Sequence, residues 1–110
     1  MKIVRTVTGD IKPDELGTTY CHEHLLWRLP SFIKPDPDLG LESVDAAVDE
    51  LTLFKNAGGN SIVEMTTVEL HRSPDRMRWI SQRSGVNIIG ATGFNKSKFS
   101  EPFVEEVSLD

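Results

Sequence analysis

The segment from Val44 to Ala57 constrains the architecture most. Val44, Ala47, Val48, Leu51 and Phe54 recur at i, i+3, i+4, i+7 and i+10, so a helix here carries one apolar stripe and must bury it. Ser43 suits the N-cap, Asp45 the first turn and Lys55 the last. Gly58-Gly59 then stops the helix as a left-handed cap would.

Strands flank it on both sides. Thr18-Thr19-Tyr20 opens a β-prone run that continues to His22 or His24, and Ser61 to Thr66 forms a second strand. Ser73-Pro74-Asp75 announces a second helix, with Ser73 as N-cap and proline at N1. Met77 and Ile80 face inward on it, Trp79 is partly covered, and it ends near Ser84-Gly85. Val86 to Thr92 is a third strand, and Pro102 to Leu109 starts a further helix. This βαβαβ order predicts an α/β fold with a parallel sheet and right-handed crossovers.

Ahead of it, Lys2 to Val7 reads as a strand, Gly9-Asp10 as a turn, Ile11 as the start of a return strand and Pro13 to Gly17 as a second turn. Residues 1–17 are thus expected to form a small hairpin across the end of the sheet. Trp27 to Gly40 is loop, because Pro30, Pro35 and Pro37 exclude a regular helix. Its Trp27, Leu29, Phe32 and Ile33 are expected to pack over a cleft or against a neighbour.

Composition narrows the partners. A net charge of −5 lacks the basic stripe of a nucleic-acid footprint. No apolar run approaches the roughly 18 residues of a membrane span, and the N-terminus lacks the apolar stretch of a signal peptide, so a cytoplasmic location is the default. The single cysteine, Cys21, excludes an internal disulfide; strand alternation turns it away from the histidines, as a small buried residue.

The chemistry concentrates in His22-Glu23-His24. In an extended run both imidazoles face one way and Glu23 the other. Two converging neutral imidazoles are half of a transition-metal site, with zinc the default metal. On the residues alone the triplet also reads as a chance arrangement in which one ring bonds a carbonyl.

Four pieces in order resemble the phosphotriesterase family, a branch of the amidohydrolase superfamily. They are Thr6-Val7-Thr8-Gly9 with Leu16-Gly17, His22 to Leu26, Gly59 to Thr66, and Gly85 to Phe94. The resemblance implies that residues 1–110 are the N-terminal part of a single (β/α)8 TIM barrel, an incomplete barrel preceded by a β-hairpin (1–17), with three strands and their helices over 18–110. It implies that His22 and His24 are ligands of one divalent metal of a binuclear pair. The other ligands in the family, a carboxylated lysine or glutamate, two histidines and an aspartate, come from later strands. It further implies attack by a metal-activated water on a small-molecule ester, lactone or phosphotriester. This segment alone is expected to be inactive, with the remainder of the barrel or a homodimer partner needed to complete it.

Other residues near the expected mouth are weighed beside these. Glu64 is placed mid-strand, either supporting the metal ligands or bonding neighbouring backbone. His71 follows the second strand, as an exposed loop residue or a substrate contact. Phe94 and Asn95 follow the third, with Asn95 where many family members carry an aromatic that contacts the leaving group or acyl chain. Arg72, Arg76, Arg78 and Arg83 suggest anion binding, although Arg76 and Arg83, seven apart on a helix, read as its wet face. The rival readings are a deoxyribonuclease-like amidohydrolase and a non-catalytic module that pairs through open strand edges.

Overall fold

In the computed structural model, which describes residues 1–107, two strands form a hairpin, β1 (Val4–Thr6) and β2 (Gly9–Ile11). There follow β3 (Thr19–Glu23), α1 (Val44–Asn56), β4 (Ser61–Glu64), α2 (Pro74–Ser84), β5 (Asn87–Gly90) and α3 (Ser97–Glu106). β3, β4 and β5 make a parallel sheet in that order, with β3 and β5 at its edges. This is the expected βαβαβ run.

The stripe on α1 is buried as its spacing requires. Ala47 and Leu51 sit in the core with Leu25, Leu26, Ile62, Met77, Ile80, Val86 and Ile88, and Val44, Val48 and Phe54 pack against them. Ile62 and Ile88 are paired in the sheet and both fully buried, each contributing about 1.5–3 kcal/mol of burial. Ser43 caps α1 by accepting from the Ala46 N–H at 3.1 Å. Gly58 has φ +103, but Gly59 is fixed by contact: an added Cβ would lie 2.3 Å from the Phe54 ring. On α2, Met77 and Ile80 are buried and Trp79 partly so, with the Arg83 guanidinium 3.3 Å above the Trp79 ring centroid.

The hairpin is present, with its turn displaced. Thr6 pairs with Gly9, so Val7-Thr8 is the two-residue turn and Gly9-Asp10 belong to β2. The Thr6 hydroxyl closes the turn by donating to the Gly9 carbonyl at 2.6 Å and accepting from the Thr8 N–H at 3.3 Å. The Val7 N–H donates to the Ile88 carbonyl of β5 at 2.9 Å, which ties hairpin to sheet. Pro13–Glu15 form a 3-10 turn, and the Leu16 carbonyl accepts from the Ser61 hydroxyl at 2.6 Å.

Three further expectations are corrected. Cys21 is exposed. Tyr20 pairs with Ile62 and Glu23 with Glu64, so three steps along β3 match two along β4. Tyr20, Cys21 and His22 are all exposed, because β3 is an edge strand whose middle has both faces open. α3 begins at Ser97, not Pro102; the Lys96 carbonyl takes the N–H groups of Phe99 (2.9 Å) and Ser100 (3.2 Å), and Pro102 then omits one rung within the helix. Leu109, the expected end of that helix, lies outside the described residues. The loop after β3 is anchored by Trp27 pairing with Leu41 across 2.9 and 3.1 Å bonds, yet Phe32 stays exposed because it lies in the proline-rich stretch beyond that anchor.

Candidate metal centre

His22 is the penultimate residue of β3, and His24 follows its last. The bulge lies between Tyr20 and Glu23, at a strand end where backbone bending redirects side chains. The two imidazoles lie side by side, ring centroids 5.4 Å apart and planes at 71°. Trp27 stacks on the His24 ring, centroids 5.2 Å apart, which restrains the imidazole.

Glu64 stands behind His24. It is the last residue of β4, not a mid-strand residue, and is 1% exposed. Its Oε1 accepts from the Leu25 N–H at 3.4 Å, the Thr66 N–H at 3.3 Å and the Thr66 hydroxyl. The buried Thr66 hydroxyl is also 3.0 Å from His24 Nδ1. A threonine hydroxyl has one proton, and the two N–H groups converging on Glu64 Oε1 mark that oxygen as an acceptor. The proton therefore points to Glu64, and Thr66 accepts from His24 Nδ1–H. That tautomer leaves Nε2 of His24 with a free lone pair. Burial pushes the Glu64 carboxyl above its ordinary value, against the hydrogen bonds from Thr66 and Leu25. Burial and then the adjacent His22 hold the His24 imidazole below its ordinary value, against the pull of Glu23. A neutral imidazole with a bare nitrogen is what a metal ligand requires.

The chemistry of this donor set thus fits two ligands of a divalent metal, one already oriented. Among the described residues no three His, Cys, Asp or Glu side chains converge as a complete site. Glu64 and His24 are brought together, and Glu64 both supports His24 and bonds backbone. His71 is exposed, in the left-handed region at φ 64, and closes a 3-10 turn over Val68–Leu70. Phe94 is exposed and its ring centroid lies 6.1 Å from that of Phe103. Asn95 donates its backbone N–H to Glu69 Oε1, and its side chain accepts from the Lys96 N–H at 2.7 Å. Among the described residues, none of these three stacks on or hydrogen-bonds to His22 or His24.

Sequence reasoning gave Thr66 and Trp27 no part in holding His24, and passed over Glu69. The Glu64-x-Thr66 spacing and a tryptophan three residues past His24 were the available signals for the first two. Glu69 is 3% exposed and clips the loop after β5 to the loop after β4.

The phosphotriesterase family matches over residues 2–108. A phospho-furanose lactonase of Mycoplasmopsis agalactiae is 34% identical over 93% of this chain and 30% of its own length. An N-acetyltaurine hydrolase of Rattus norvegicus is 32% identical over 83% of the chain and 34% of its own length. A solved lactonase of Listeria monocytogenes superposes with a TM-score of 0.80 at 34% identity, covering 91% of this chain and 31% of that one. The chain therefore spans about a third of the length of these relatives, and its three parallel units are a segment of a barrel wall. Family match, sheet order and the two imidazoles at the end of β3 agree: this chain belongs to the phosphotriesterase family.

Proposed function

We propose that this chain supplies the first two metal ligands, His22 and His24, of a divalent-metal hydrolase that opens lactones or related esters. The observation that carries the reading is the Glu64–Thr66–His24 chain of hydrogen bonds, which leaves His24 Nε2 bare on a ring whose centroid is 5.4 Å from that of His22. A metal ion there supplies Lewis acidity and lowers the pKa of a bound water, and zinc suits imidazole donors. This chain's own residues orient His24: Thr66 fixes its tautomer, Trp27 covers the ring face, and the buried Glu64 accepts from the Thr66 hydroxyl. Relatives named for lactone and N-acyl hydrolysis favour a carbonyl centre over a phosphotriester.

Residues 1–110 are read as one part of a single barrel domain. A cavity of about 730 Å³, lined by Tyr20, Leu41, Leu53, Phe54 and Ile62 beside the β3 edge, is where the remaining barrel units would close. The test uses the polypeptide that carries this chain, stripped by chelator and titrated with zinc, against a panel of sugar lactones. Hydrolysis should return with zinc and be absent in His22→Ala/His24→Ala. Full activity in the stripped protein or in the double variant would overturn the reading.

A further inference from the structure

The 3-10 turn Val68–Leu70, in the loop after β4, is tied to both neighbouring loops. Thr67, Glu69 and Leu70 are buried there. Toward β3, the Leu70 carbonyl accepts from the Arg28 N–H at 3.1 Å. Toward β5, two side chains reach across to the backbone of the next loop. Glu69 Oε1 accepts from the Asn95 N–H, and Arg72 Nη1 donates to the Ala91 carbonyl at 2.7 Å. The Arg72 N–H donates to the Thr67 carbonyl at 3.2 Å, which holds the arginine's own backbone against the turn. Ala91 and Asn95 are thus both gripped, and Thr92-Gly93-Phe94 spans the gap between them. Gly93 lies at φ +84, where a side chain would strain the backbone, and Phe94 is 57% exposed.

Stability alone does not account for this grip. Among the described residues, the buried side-chain atoms without a hydrogen-bond partner are Thr67 Oγ1 and Glu69 Oε2, two positions apart in this turn. A buried carboxylate with one oxygen unpaired is a poorer stabiliser than an apolar residue of the same size. Glu69 and Arg72 form no ion pair with each other among the described residues; each directs its head group to the next loop's backbone. What the arrangement achieves is a loop of set position. The ends of three parallel strands share one rim, and with neighbours about 4.8 Å apart β5 stands about 10 Å from β3. The two histidines occupy one end of that rim and the gripped loop the other. A substrate bound through His22 and His24 and extending along the rim therefore meets residues 92–95. Thr66, which orients His24, directly precedes Thr67, so one short segment sets both ends of the site.

We infer that Glu69 and Arg72 are positioning residues, which clamp the Ala91–Asn95 loop at both ends and so fix a substrate-binding wall about 10 Å from the metal centre. Neither touches the reacting atoms; each acts through the backbone it holds. A wall already in place meets the substrate without the ordering entropy of a mobile loop, so loosening it weakens binding and leaves the chemical step alone. The inference rests on the hydrolase reading for its effect on catalysis, but the clamp is testable by itself.

The experiment uses the zinc-loaded polypeptide that carries this chain, as wild type, Glu69→Ala, Glu69→Gln and Arg72→Met. Arg72 is half-buried, so its variant tests the clamp without opening a buried cavity. Two lactones are compared, one unsubstituted and one with a substituent reaching about 10 Å from the ring. In Glu69→Ala and Arg72→Met the KM for the long lactone should rise about 10-fold at nearly constant kcat, with the short lactone and the zinc affinity unchanged. Glu69→Gln keeps an acceptor for the Asn95 N–H and should restore most of the KM. Lost stability would act on both substrates alike. No loss, equal losses on both lactones, a loss in kcat instead of KM, or Glu69→Gln as impaired as Glu69→Ala therefore overturns the inference. If wild type hydrolyses no lactone, the hydrolase reading fails, and chymotryptic cleavage after Phe94 under native conditions decides the clamp alone. Cleavage there about 10-fold faster in Glu69→Ala and Arg72→Met, with Glu69→Gln near wild type and other sites unchanged, upholds it. An unchanged rate, or equal acceleration at every site, refutes it.

Discussion

Thr66→Val removes one hydroxyl from a buried position and leaves the side-chain volume almost unchanged. That hydroxyl donates to Glu64 Oε1 and accepts from His24 Nδ1 at 3.0 Å, so two interactions vanish together. Glu64 Oε1 keeps the N–H groups of Leu25 and residue 66, whereas the Nδ1–H of His24 loses its partner. One bond to a carboxyl group and one orphaned donor amount to about 2–4 kcal/mol. The lower end applies if water reaches the imidazole, whose side chain is 25% exposed. Loss of an orienting partner behind a ligand should also weaken metal binding about 10–100-fold. Competition with a chromophoric zinc chelator measures the affinity, and denaturant unfolding measures the stability. Thr66→Ser, which keeps the hydroxyl, should hold zinc nearly as tightly as wild type. Zinc binding by Thr66→Val at wild-type strength, or by Thr66→Ser as weakly as Thr66→Val, would refute the hydrogen-bonding argument.

Glu64 supplies a pH dependence whose sign follows from its burial. Its folded carboxyl titrates above the ordinary 4.5, so between the two values the folded state binds more protons than the unfolded one. Stability of the metal-stripped protein should therefore fall as pH rises through that window, with a limiting slope of about 1.4 kcal/mol per pH unit, and level off above it. Glu64→Gln should abolish this component, and parallel pH curves for variant and wild type would contradict it. Gly59→Ala places a Cβ 2.3 Å from the Phe54 ring, so the ring must leave its position against the core, at about 1–3 kcal/mol by thermal or denaturant unfolding. An unchanged midpoint would show that Phe54 moves freely. Glu69→Ala strips the Asn95 N–H of its acceptor, and hydrogen exchange at Asn95 should accelerate about 10-fold or more.

Much of the fold was legible because single residues enforce it locally. Ser43, the stripe from Val44 to Phe54 and Gly58-Gly59 mark both the ends and the buried face of α1, and Pro74 marks the start of α2. Parallel pairing followed from the alternation of elements. What escaped depends on register. The bulge between Tyr20 and Glu23 is announced by no residue type, and Cys21 is exposed because β3 stands at the sheet edge with both faces open. The hairpin turn slid from Gly9-Asp10 to Val7-Thr8 because the Thr6 hydroxyl closes the tighter turn. The site divides the same way. His22 and His24 stand one residue apart and are visible in the sequence. Thr66 reaches His24 across 42 positions, and Glu69 reaches Asn95 across 26, through packing alone.

The central claim is that His22 and His24 hold one metal together, with His24 binding through Nε2. Crystals of the polypeptide that carries this chain, grown with zinc and measured on both sides of the zinc absorption edge, test it directly. The account predicts an anomalous peak about 2.0–2.1 Å from His24 Nε2 and at bonding distance from the His22 ring. A peak on one ring only, on His24 Nδ1, or at neither histidine would contradict it.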